Sequence, residues 1–137
     1  MPAEGLIVVP SDFDAEQTMN RLEAEVRARG MTVFARIDHS AGASSVVRPL
    51  RPAEVLIFGY PRDSALLMQA AQQIGIDLPL RALVYLDGDG NAWIAYYSPN
   101  WLAQRHGLPV QMTPSVSALT TMLEAIAAKV ARLPSRS

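Results

Sequence analysis

Apolar residues recur along this chain in two rhythms. In residues 78–97, LPLRALVYLDGDGNAWIAYY, two runs rich in apolar, β-branched and aromatic residues flank Asp87-Gly88-Asp89-Gly90, the signature of a β-hairpin. Ahead of it, Val55-Leu56-Ile57-Phe58-Gly59 is an unbroken apolar run, the pattern of a strand buried on both faces. Residues 5–9 read as an opening strand ended by Pro10. Residues 31–38 alternate, with Met31, Val33, Ala35 and Ile37 on one side and Thr32, Phe34, Arg36 and Asp38 on the other, as a half-buried strand does.

Helical spacing takes over between these strands. Asp14 with Gln17 three residues on forms a capping box, and Ala15, Met19, Leu22 and Val26 make one apolar stripe. Glu23→Arg27 and Glu25→Arg29 are favourably oriented pairs on the outer face, and Gly30 suits the residue just past the helix end. A second helix is predicted after Tyr60-Pro61, capped by Asp63 or Ser64. Its inward stripe is Leu67, Ala70, Ala71 and Ile74, with Gly75 at its end and Ile76 packing back. Ser98-Pro99 and Thr113-Pro114 each announce a further helix. The first is short and stops at Gly107; the second carries Val116, Leu119, Leu123, Ile126, Ala127 and Val130 on one face before the polar tail LPSRS. Residues 39–52 hold two prolines and small residues and read as a loop, with one helical turn around 43–47.

The order β-α-β-β-α-β-β-α-α describes a single α+β domain over residues 1–137, a two-layer sandwich with helices on one face of a mostly antiparallel sheet. Half of the residues are hydrophobic and 18% charged, with formal net charge −1. Such a chain can bury a core, and without a basic block it lacks the electrostatic footprint of nucleic-acid binding. It has no cysteine, which removes disulfides, thiol nucleophiles and cysteine metal sites. No run approaches a bilayer span, and no secretory pattern opens the sequence, so a cytoplasmic protein that meets no membrane is expected.

Candidate chemistry is sparse. Asp38-His39 stands where a strand gives way to a loop, a usual place for site residues. Neighbours on a strand point apart, so Asp38 is poorly placed to orient His39 as a catalytic dyad. His39 is either a ligand contact or a strand-end histidine bonded to backbone. Arg81 would face away from the helices if Leu80, Ala82, Val84 and Leu86 face them. There it can clamp a carboxylate or phosphate, serve an interface, or reach water. Arg105-His106 ends a short helix, where cations complement the dipole. Two histidines and no HExxH spacing leave no metal centre and no cofactor site expected. Asp87–Asn91 resembles the start of a calcium loop, but Ala92 replaces the required glycine and Ser98 the closing glutamate. No GxGxxG, P-loop or GxSxG is present. Trp93, Tyr96, Tyr97 and Trp101 gather around the hairpin, with Trp93 and Tyr97 on one face and Ile94 and Tyr96 on the other.

In this order the segments resemble a bacterial family known as domain of unknown function 302. The resemblance rests on Ala35-Arg36-Ile37-Asp38-His39, on Leu56-Ile57-Phe58-Gly59 with Pro61, and on Asp77-Leu78-Pro79-Leu80-Arg81 with the hairpin behind it. Tyr97, Pro99, Leu102 and Arg105-His106-Gly107 complete it. It spans residues 5–108, leaving residues 109–137 as an appended helix and tail. It implies a curved sandwich similar to the TATA-binding-protein fold, and homodimers, but no activity. Tyr60 and the 62–65 turn depart from the family pattern. The expectation is a non-catalytic homodimeric module holding a small polar or organic anionic ligand near Asp38, His39, Arg81 and Tyr97. The alternatives are a structural interaction dimer, or an enzyme using His39 as general acid or base.

Overall fold

The computed structural model describes residues 2–43 and 50–133. Strands β1 (Leu6–Ser11), β2 (Thr32–Asp38), β3 (Ala53–Gly59), β4 (Leu80–Leu86) and β5 (Ala92–Tyr97) form one antiparallel sheet in the order β1-β5-β4-β3-β2. Helices α1 (Ala15–Ala28), α2 (His39–Ala43), α3 (Pro61–Ala70), α4 (Pro99–Arg105) and α5 (Thr113–Ala131) complete it, with tight 3-10 segments at Gln72–Asp77 and Val110–Met112.

The first helix forms as its local chemistry dictates. The Gln17 backbone N–H donates to Asp14 Oδ1 at 2.7 Å, filling one of the donors a helix start leaves unpaired. Arg27 reaches Glu23 at 3.0 Å and Arg29 reaches Glu25 at 2.7 Å. Gly30 then takes φ +83°, a conformation that side chains resist. Met19, Leu22 and Val26 are buried, each contributing about 1.5–3 kcal/mol by leaving water. On α5 the buried residues are Val116, Leu119, Leu123, Ile126, Ala127, Val130 and Ala131. The two helices lie together: Arg21 Nε donates to the Val130 carbonyl at 2.9 Å, and Lys129 meets Glu25 at 3.0 Å.

Strand register places the core on one side. Leu56 pairs with Ala82, Ala82 with Tyr96 and Tyr96 with Ile7; Val84 pairs with Ile94 and Ile94 with Val9. These residues, with Phe58 and Leu80, pack into the core beneath the helices. The opposite side carries rows that, Ala95 apart, are partly buried or exposed. One is Val8–Ala95–Leu83–Val55–Ile37, another Pro10–Trp93–Tyr85–Ala53, and the third holds Leu6–Tyr97 and Arg81–Ile57–Ala35. Arg81 is its one charged residue. The hairpin turn is held by Asp87, whose Oδ1 accepts the N–H groups of Asp89 and Asn91 and whose Oδ2 accepts the Trp93 indole N–H at 2.7 Å.

Several local expectations change. Pro10 lies inside β1, tolerated because β1 is an edge strand with one side unpaired. The β2 register shifts between Val33 and Ala35, so Phe34 is an extra residue. Val33 thus joins Arg36 on the helix side while Ala35 and Ile37 point away, since one inserted residue reverses facing. In β3, Leu56 and Phe58 are buried but Val55 and Ile57 are not, so the apolar run is covered on one face only. Helix α3 begins at Pro61 without a side-chain cap and stops at Ala70, and Ile74 reaches the core from the 3-10 segment. Ile76 does not pack back: it is 77% exposed. Helix α5 starts at Thr113 itself, uncapped by a side chain. Of the turn expected around 43–47, residues 44–47 lie outside the described residues; the helical turn that is described, α2, comes earlier, at His39–Ala43.

Candidate functional site

The four residues singled out by sequence separate into two places. Asp38 ends β2 and His39 opens α2, at one edge of the sheet. Arg81 lies near the start of the central strand β4, opposite Ile57. Asp38 pairs with Glu54, and Glu54 with Val84, so Arg81 is three residues and two strands away, roughly 14 Å at ordinary strand spacing. Asp38 also lies on the helix side, whereas Arg81 lies on the other. No single small ligand touches both ends.

Asp38 has a local task. Its Oδ1 accepts from the Ser40 hydroxyl at 2.5 Å, the Ser40 N–H at 3.0 Å and the Ala41 N–H at 3.1 Å. It thereby caps α2, as a short acidic side chain does. The Ser40 hydroxyl first, then the Ala41 N–H, hold its carboxyl below the usual value. His39 is exposed.

Arg81 and Tyr97 come together. Both line a cleft of about 100 Å³ with Asp77, Leu80, Leu102 and Leu123. That space holds several waters or a ligand of a few heavy atoms. The cleft sits where β4 begins and β5 ends. Ser98 caps α4 by accepting the Trp101 N–H at 3.2 Å, and Pro99 occupies the first turn. This start swings Trp101 onto Tyr97, with ring centroids 5.2 Å apart and planes nearly parallel. The Arg105 guanidinium lies 5.3 Å over the Trp101 ring.

The charges around the cleft are unevenly satisfied. Asp77 Oδ2 takes His106 Nε2 at 2.5 Å and lies 3.9 Å from Arg105 Nε. Asp77 Oδ1 and the Arg81 guanidinium have no hydrogen-bond or ion-pair partner among the described residues. Two opposite charges four residues apart therefore share one wall without neutralising each other. The arrangement can receive a polar or charged group; it contains no activated hydroxyl nucleophile.

Sequence reading grouped Trp101 with Tyr97 and Arg81 but missed Asp77 and His106 as part of this site, and explained Arg105-His106 by the helix dipole alone. The signal was present in one form. The stretch from Asp77 to Arg81 and the group Tyr97, Pro99, Leu102 and Arg105-His106-Gly107 both carry the family resemblance, and the fold brings them to one end of the sheet.

Comparison with known proteins agrees with this architecture. A solved structure described as an uncharacterized conserved protein DUF302 from Bacillus stearothermophilus superposes with TM-score 0.71 at 18% identity, covering 94% of this chain and 97% of that one. It shares the fold. Among curated proteins, "Fluoride-specific ion channel FluC 1" of Brucella suis biovar 1 (strain 1330) is 42% identical over 117 residues, which is 85% of this chain and 46% of that protein. "Fluoride-specific ion channel FluC 2" of Brucella melitensis biotype 1 is 42% identical over 117 residues, 43% of its length. The chain thus spans under half the length of these relatives, and no helix among the described residues is long and apolar enough to cross a membrane. The family model described as "Domain of unknown function DUF302" matches residues 7–130, and the chain belongs to that family.

Proposed function

We propose that this chain is a non-catalytic homodimeric module that binds a small polar or anionic ligand in the cleft between Arg81 and Tyr97. The observation that carries the reading is the Arg81 guanidinium, without a partner among the described residues, on the wall of a small aromatic-sided cleft. A guanidinium offers a planar fork that matches a carboxylate. Asp38, occupied in capping α2, and His39, beside it at the far edge of the sheet, drop out of this site.

The dimer rests on the sheet side opposite the core, taken among the described residues. Five strands about 4.8 Å apart and roughly six residues long make an apolar face of about 400 Å² in projection. A patch of that size matches the largest that a typical monomer exposes, and such patches are often functional. A second copy fits because the face is nearly uncharged and can meet itself. The Brucella relatives add a context: in them a comparable module occupies part of a protein named for fluoride conduction. An accessory role beside an anion channel is a second reading, and fluoride belongs in the ligand panel for that reason.

Thermal-shift and NMR titration with acetate, phosphate, chloride and fluoride tests the cleft. Stabilisation by at least one of them, lost in Arg81→Ala, is the expected result; an unchanged response in that variant removes Arg81 from the reading. Light scattering after gel filtration is expected to give twice the chain mass at micromolar concentration. Leu83→Glu, at the centre of the open face, is expected to halve it. A monomeric parent protein overturns the dimer.

A further inference from the structure

The cleft presents a carboxylate and a guanidinium on the same small wall, and this pairing selects among ligands. A simple anion drawn to Arg81 also meets the Asp77 carboxylate, which repels it. A simple cation meets the converse. Asp77 and Arg81 are not bonded to each other: Asp77 directs Oδ2 to His106 at 2.5 Å and toward Arg105 at 3.9 Å, which leaves Oδ1 open. A carboxylate retains acceptor capacity on the second oxygen after such contacts. His106 and Arg105 also fix its orientation, so the free oxygen is held in place without a ligand.

We infer that the cleft takes a small zwitterion, an α-amino acid or similar amino-carboxylate, with its carboxylate on Arg81 and its ammonium on Asp77 Oδ1. This rests on the ligand-binding reading above and names the ligand class for that same cleft. The Tyr97 ring, which lines the cleft, favours the cationic end, since an aromatic face attracts ammonium. The volume of about 100 Å³ restricts the class to small members.

Three probes of nearly equal size separate the possibilities: alanine carries both charges, propionate lacks the ammonium, and ethylammonium lacks the carboxylate. Titration of the ¹⁵N-labelled chain is followed at the amides of Asp77, Arg81 and Tyr97 and at the Trp101 indole. Alanine is expected to bind at least tenfold more tightly than either single-charge probe, and Asp77→Asn to bring it to the propionate level. Propionate binding as tightly as alanine overturns the zwitterion and leaves the anion site standing. Silence from all three probes and from the anion panel overturns both. The comparison of probes on the unaltered chain decides the matter even if Asp77→Asn fails to fold.

Discussion

Arg36 ties the sheet edge to α1, and its removal gives a sharp test of how the fold is held. Its Nε and Nη2 donate to the two Glu54 oxygens at 3.0 Å each. Its Nη1 reaches Asn20 at 2.9 Å and Glu23 at 3.2 Å. The three charged side chains are between 22% and 28% exposed, so water screens them only in part. An exposed pair is worth about 0–1 kcal/mol, while hydrogen bonds to charged groups reach about 1.5–3 kcal/mol. A two-pronged, partly buried fork plus two weaker bonds falls between, at about 2 kcal/mol. Arg36→Met keeps the aliphatic stem, so packing is preserved while the charge is lost. Urea unfolding of the parent, Arg36→Met, Glu54→Gln and the double variant closes a cycle. A coupling of about 1–1.5 kcal/mol is expected, with the denaturant slope unchanged. Coupling near zero, or a single-variant loss under about 0.5 kcal/mol, refutes the claim that this fork fastens β2 to β3.

Other perturbations follow from equally local geometry. Gly5 has φ +77°, and a Cβ there would lie 2.2 Å from the Trp101 ring; Gly5→Ala should cost more than about 2 kcal/mol and shift tryptophan fluorescence as Trp101 leaves Tyr97. Thr18 is the buried polar residue of the core, bonded to Ser11 Oγ and donating to the Asp14 carbonyl, each at 2.7 Å. Thr18→Val takes away the acceptor of the Ser11 hydroxyl proton, leaving Ser11 Oγ only the Phe13 N–H that it accepts at 3.2 Å, and should lower stability by about 1–2 kcal/mol in chemical denaturation. Arg29 first and Lys129 next hold the Glu25 carboxyl below its ordinary 4.5, and Arg27 then Arg36 do so for Glu23. Depressed carboxyls stabilise above their unfolded value and lose that contribution as acid protonates them. Stability should therefore be flat from pH 7 to about 5 and fall below about 4.5, less steeply in Glu25→Gln. Burial, and then Glu124, raise the Tyr96 hydroxyl above 10.0, so a second loss is expected in alkali as it is forced to ionise.

The parts of the fold legible in sequence were those governed by near neighbours. Asp14, the Glu–Arg pairs and Gly30 act within one helix turn, and the hairpin alternation of residues 80–97 needs only a period of two. The bulge at Phe34 was invisible because an inserted residue leaves the polarity pattern unchanged while reversing every facing after it. Ile76 misled for a similar reason: the 3-10 segment turns faster than an α-helix, so Ile74 takes the inward place. The site suffered most. Asp38 and His39 drew attention because they adjoin in sequence, yet strand geometry parts them. Asp77 and His106 are 29 residues apart, and only the return of α4 to the start of β4 makes them partners. A pairing made by topology leaves no spacing signal.

That topology also links the two halves of the proposed function. Along β4, Leu80, Ala82 and Val84 enter the core while Arg81, Leu83 and Tyr85 face outward. The cleft and the open face therefore meet at Arg81 and Tyr97. Arg81 is the only charged residue among the described strand positions of that face, and burying an unpaired charge against a second copy is costly. A ligand carboxylate on Arg81 neutralises it and lowers that cost, so ligand and self-association should reinforce each other. Linkage makes the effect reciprocal: whatever factor the ligand adds to dimer affinity, the dimer adds to ligand affinity. Sedimentation of the chain with and without alanine measures the factor directly. In Arg81→Leu the charge is absent from the start, so self-association should be tight and indifferent to ligand. A variant dimer no tighter than the parent would mean that Arg81 reaches water past the interface, leaving cleft and face to act independently.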